Sequence, residues 1–111
     1  MYTIVASETF KLSVQRFRAF LAHKYGVEFA QLQVTLVRQN IEQHLPATPD
    51  IAPISPRLLE IGITEYRQWH IDKHNLLFYK VDPNRKEVQL LALVDSRQNI
   101  QKLLFELMLL A

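Results

Sequence analysis

The stretch NLLFYKVDPNRKEVQLLALVD, residues 75–95, decides the fold. Two apolar runs flank the polar segment PNRK, which is short enough that strands over 75–82 and 87–95 must be antiparallel. Successive side chains of a strand point to opposite faces, and Leu76 and Phe78 alternate here with Leu77, Tyr79 and Val81. The hairpin therefore shows large side chains both ways. One face is core, and a chain of 111 residues has little left to cover the other. With Val88, Leu90, Ala92 and Val94 turned to the packed side, Leu91 and Leu93 fall on the far side, joined by Trp69 and Phe78. Either this face stays open as a partner surface, since a contiguous apolar patch of more than a few hundred Å² marks one, or the C-terminal helix folds over it.

Upstream, residues 2–6, YTIVA, read as a strand. In SETFKLSVQRFRAFLAHKYG (7–26), Phe10, Val14, Phe17 and Leu21 recur at helical spacing. Ser7 or Thr9 caps this helix, and Gly26 closes it because glycine takes left-handed conformations without steric cost. The segment VEFAQLQVTLVRQNIEQHL (27–45) fits two patterns: Ala30, Val34, Val37 and Ile41 suit a helix, while Ala30, Leu32, Val34 and Leu36 alternate as in a strand. Its length, with no glycine or proline before Pro46, favours the helix. The two helices then form an antiparallel hairpin.

Residues 46–56, PATPDIAPISP, hold four of the five prolines and read as a loop. RLLEIGI (57–63) and EYRQWHI (65–71) have strand length and extend the 75–95 hairpin into a meander. SRQNIQKLLFELMLLA (96–111) opens with Ser96 as a cap and sets Ile100, Leu103, Leu104, Leu107 and Met108 on one stripe. Phe105, Leu109 and Leu110 fall off that stripe, so this helix is apolar nearly all round. The expected fold is α+β, one domain over residues 1–111: an N-terminal strand, a helical hairpin packed on a mainly antiparallel four- or five-stranded sheet, and a C-terminal helix.

Composition narrows the function classes. No cysteine is present, which excludes disulfides and thiolate chemistry and makes the reducing cytoplasm the expected compartment. The N-terminus shows no basic segment followed by an apolar one, so no export signal is expected. The most apolar segment, IQKLLFELMLLA, falls well short of the roughly 20 residues that span a bilayer, and no membrane partner is expected. The net charge of +2 is spread evenly along the chain, so a phosphate-binding footprint requires local clustering. His70 and His74 flank Asp72 across a turn, but four-residue spacing unites ligands only on a helix. His23 and His44 have no companion. Gly26 and Gly62 are too few for a phosphate loop. Neither a metal nor another cofactor is expected.

The order strand, two helices, proline-rich loop, antiparallel strands and polar-basic exit resembles the RelE/ParE superfamily of type II toxin–antitoxin toxins. The likeness is carried by Arg57 in RLLEIG, by Tyr66 and Arg67 in EYRQWHI, by LLFYKVD (76–82), and by EVQLLALVDSRQ (87–98). The long helical hairpin and the prolines after it are more similar to the ParE branch. The resemblance implies that one sheet face packs on the hairpin and the other meets a cognate antitoxin, a partly disordered peptide that folds on binding. Trp69, Phe78, Leu91, Leu93 and Lys80 are the expected partner-facing residues.

Two activities follow from the resemblance. ParE-like toxins poison DNA gyrase and need no hydrolytic site; RelE-like toxins cleave messenger RNA on the ribosome. Cleavage needs cations on phosphate and a proton carrier near the ribose hydroxyl, for which Arg67, His70 and Arg97 are the candidates, with Lys80 on the strand between. Arg67 and His70 stand three apart, so alternation points them to opposite faces. Asp95 also adds negative charge where phosphate would bind. The ordinary alternative for these cations is solvated or ion-paired surface. A reading from another class is a non-toxic protein-interaction domain.

Overall fold

The computed structural model describes residues 1–110, and for Leu110 the backbone alone. Strand β1 (Thr3–Ala6) leads into helix α1 (Glu8–Tyr25) and helix α2 (Val27–His44). Ser7 starts α1 as expected, its Oγ accepting the Phe10 N–H at 3.0 Å. Gly26, at φ 99°, separates the two helices. Phe10, Phe17 and Leu21 of α1 and Ala30, Val34, Val37 and Ile41 of α2 are buried, so the helical pattern wins over the strand pattern in α2, with Leu45 as its C-cap.

A proline-rich loop then delivers a helical turn, α3 (Pro56–Leu59), where a strand over 57–63 was expected. The reason is local. Ser55 Oγ accepts the Leu58 N–H, and Pro56 occupies the first turn, where its fixed φ suits a helix and its missing N–H costs nothing. Leu58 is buried by this turn.

Strands β2 (Arg67–His70), β3 (Asn75–Asp82) and β4 (Glu87–Asp95) complete a four-stranded sheet of order β1-β4-β3-β2. Only the β1–β4 pairing is parallel. The Asp82 carboxylate closes the β3–β4 turn by accepting the N–H groups of Asn84 and Arg85. Along the outer edge of β2, Ser55 N–H donates to Tyr66 O and Gln68 N–H to Pro53 O, so the loop caps an edge that would otherwise invite pairing with another chain. Helix α4 (Ile100–Leu110) ends the described chain. It starts later than expected: the Asn99 carboxamide, not Ser96, accepts the N–H of Lys102.

A β-bulge determines which residues face which way. Phe78 pairs with Ala92, but Tyr79 pairs with Leu90, which leaves Leu91 as the extra residue. An extra residue reverses the alternation beyond it. Val88, Leu90 and Leu93 therefore join the hairpin-side core with Leu77 and Tyr79. Leu91, Ala92 and Val94 join the opposite core with Leu76 and Phe78, under Ile100, Leu104 and Leu107 of α4. The expected orientations of Ala92, Val94 and Leu93 are thus corrected. So is the far-side position of Trp69, which packs against the hairpin-side core with its ring edge-on to His44 at 5.7 Å.

The bulge is held by α1. Strand β1 ends at Ala6, opposite Leu90, while β4 runs on. Past that point Ser7 Oγ donates to Leu90 O at 2.9 Å. Buried Ser13 Oγ accepts the Leu93 N–H at 2.9 Å and itself donates to Phe10 O. The serine that caps α1 and one within it thus satisfy backbone groups that β1 no longer reaches, as buried peptide groups require.

Candidate partner groove and cationic side chains

The helical hairpin does not seal its own face completely. Between α1, α2 and the sheet lies a groove of about 460 Å³. Phe10 and Val14 wall it from α1, Val34, Val37 and Ile41 from α2, and Ile4, Leu90 and Leu93 form part of the floor. Lys11, Arg38 and Glu42 stand at the rim. An apolar cleft of roughly 300–1,000 Å³ with a few polar groups at its mouth is the usual form of a binding site. Helical spacing identified most of these residues only as core. That the two helices leave a gap here depends on their packing and has no signature in the sequence.

The residues expected to meet a partner are distributed differently. Phe78 and Leu91 lie on the far face but are 0% and 4% exposed, because α4 covers them. The expected open patch on that face is therefore absent among the described residues. Leu93 is buried on the hairpin side and contributes to the groove floor. Trp69 is half-buried. Lys80 reaches Glu65 at 3.8 Å and lies 5.6 Å from the Tyr66 ring centroid.

The three candidate cleavage residues are each engaged in a separate contact. Arg67 pairs across strands with Tyr79, a member of the hairpin-side core, and its Nη1 donates to Ala52 O at 2.6 Å. The Tyr79 hydroxyl donates to Pro49 O at 2.7 Å; burial raises its pKa above the ordinary tyrosine value. Together Arg67 and Tyr79 tether the proline-rich loop. His70 pairs across strands with Leu76 and so points to the opposite face, where its Nε2 lies 3.3 Å from Gln68 Nε2.

Arg97 is clamped at the far end of β4. Its Nε and Nη2 donate to the two carboxylate oxygens of Asp95 at 2.8 and 2.7 Å, and its backbone N–H adds a third bond. Nη1 donates to the Tyr25 hydroxyl, and the guanidinium lies 4.8 Å from the Tyr25 ring centroid. Burial works against ionisation of Asp95, but the bonds from Arg97 outweigh it and hold the carboxyl below its usual range. The clamp fixes the hairpin tip to the sheet end. It also neutralises the cation that a phosphate would need.

Among the described residues no cluster of three or more histidine, aspartate or glutamate side chains is placed to hold a metal ion, and no helix is long and apolar enough to cross a membrane.

No family model and no curated protein matches this chain in sequence. Solved structures do resemble it in shape. A chain of the chromosomal ParDE toxin–antitoxin system from P. aeruginosa superposes with a TM-score of 0.67 at 14% identity, over 86% of this chain and 96% of that one. A metal-bound toxin from Helicobacter pylori gives a TM-score of 0.48 at 19% identity, over 86% and 94% of the two chains. The superposition over nearly the whole of the ParDE-system chain shows that this protein shares the fold of that chain.

Proposed function

We propose that this protein is the toxin of a type II toxin–antitoxin module, ParE-like in action, neutralised by a cognate antitoxin and directed at DNA gyrase. The fold match to a chain of the ParDE system over 86% of the protein carries this reading. The separation of the cationic side chains supports the ParE-like branch over ribosome-dependent RNA cleavage. Arg67 serves the loop, Arg97 serves Asp95, and His70 stands on the other face from Arg67. The groove between α1, α2 and β4 is the place for the antitoxin: it offers an apolar floor to an amphipathic segment and charges of both signs at the rim.

Induced expression in bacteria tests the toxin role. Growth arrest relieved by co-expression of a small adjacent reading frame is the expected result; unimpaired growth refutes the proposal and favours a non-toxic interaction domain. Assays on the purified protein then separate the targets. Inhibition of gyrase supercoiling without messenger RNA cleavage on translating ribosomes supports the ParE-like reading, and the reverse pattern replaces it with the RelE-like one.

A further inference from the structure

Helix α2 carries a second stripe that neither the core nor the groove uses. Ala30, Val34, Val37 and Ile41 point inward. On the other side Phe29, Leu32 and Leu36 are 37%, 55% and 38% exposed. Gln39 and Gln43, also exposed, continue the same stripe. These five residues are spaced three, four, three and four apart, which is the alternating a and d spacing of a coiled-coil seam. The residues turned to the core then take the b and f positions, on the side away from the seam. Tyr25 lies at the N-terminal end, its ring 5.3 Å from that of Phe29.

Charge is missing from this seam. Between Glu28 and Arg38 no residue of α2 is ionisable, and none of the five seam positions is. The flanking e and g positions hold Gln33, Asn40 and Thr35, with Glu28 and Glu42 as the charged exceptions. By contrast α1 exposes Glu8, Lys11, Arg18 and Lys24. A partner recognised through charge has nothing to complement on the seam, whereas a twofold interface requires a surface that complements itself. The order of the seam also fits pairing of like with like. In a parallel arrangement Phe29, Leu32 and Leu36 meet their own counterparts, and the amides of Gln39 and Gln43 bond to each other.

We propose that a second copy of this chain docks along the outer stripe of α2 as a parallel two-helix seam. The seam from Phe29 to Gln43 is about 21 Å long at 1.5 Å per residue. One helix pair of that length lies at the low end of specific interfaces, below about 800 Å² per partner. The dimer is accordingly weak and forms at roughly micromolar or higher concentrations. It leaves the groove open, because the groove is walled by Val34, Val37 and Ile41, which point away from Leu32 and Leu36, with Glu42 at the border between groove and seam.

Sedimentation equilibrium of the purified chain tests this. The mean mass is expected to rise from 13.0 kDa toward twice that value as concentration increases to a few hundred micromolar. Leu32→Glu and Leu36→Glu are expected to stay at the monomer mass with unchanged circular dichroism, since both sites are solvent-facing. Because the native chain has no cysteine, single-cysteine variants report geometry directly. Leu32→Cys is expected to form an intermolecular disulfide under mild oxidation, and Gln31→Cys, one residue off the seam, is not. A monomer throughout the concentration range, a dimer that survives both glutamate variants, or equal cross-linking at Gln31 overturns the proposal.

Discussion

Both faces of the sheet draw most of their buried side chains from β3 and β4, yet they are closed in different ways. The hairpin side is covered by two helices of 18 residues each and bonded to β4 by Ser7 and Ser13. The opposite side is covered mainly by α4, a helix of 11 residues whose attachments include the Arg16–Glu106 ion pair to α1. The better-anchored face is the one left partly open, and the single helix closes its side over Phe78 and Leu91. Cover depends on fit rather than on the amount of helix. Two helices leave a groove between Phe10 and Val14 on one side and Val34, Val37 and Ile41 on the other, while Ile100, Leu104 and Leu107 of one helix bury Phe78 and Leu91.

Truncating the shared strands is the strongest way to break this contrast. Phe78→Ala removes a fully buried ring beneath α4 and is expected to cost about 3–5 kcal/mol, measured as a fall in the urea midpoint. A loss under about 1 kcal/mol, the range of ordinary surface changes, would mean that α4 is not seated on this face in solution.

Next in size is the bonded bulge on the hairpin side. Ser13→Ala leaves the Leu93 N–H buried without its acceptor, with an expected cost of about 1–3 kcal/mol. Hydrogen exchange at Leu93 should quicken more than exchange at Leu77 on the neighbouring strand.

The Asp95–Arg97 clamp sharpens the comparison through pH. Asp95 has a depressed pKa in the folded state, so its contribution is fully present above the unfolded value of about 3.9 and is lost as pH falls through the folded value. The urea midpoint should therefore drop as pH falls below about 4. Asp95→Asn should flatten that part of the profile and cost about 1–2 kcal/mol near neutrality, less than a fully buried pair because Arg97 keeps access to water. Curves of equal slope for the two proteins would show that the clamp does not form.

The smallest effect is expected at the tie between α4 and α1. Glu106→Gln weakens a pair whose side chains are both about one-third exposed, and should cost under about 1 kcal/mol. Exchange across α4 is nevertheless expected to rise while β4 stays protected, because a singly covering helix opens below the global unfolding free energy.

Sequence alone determined the local vocabulary of this protein. The apolar period of α1, the Ser7 cap, the Gly26 break and the bounds of β3 and β4 follow from side-chain spacing and backbone preference, which act over a few residues. The start of α3 is equally local: Ser55 caps it and Pro56 opens it, and this outweighs the strand-length apolar pattern of residues 57–63. What tertiary structure alone decided was direction and cover. The bulge at Leu91 sends Leu93 to the hairpin side and Ala92 and Val94 to the α4 side, and it arises where β3 and β4 pair while the start of α1 bonds the freed backbone. Likewise the groove, the seat of α4 and the separate engagements of Arg67, His70 and Arg97 depend on how distant elements meet. Residue spacing within one element carries no information about the gap between two.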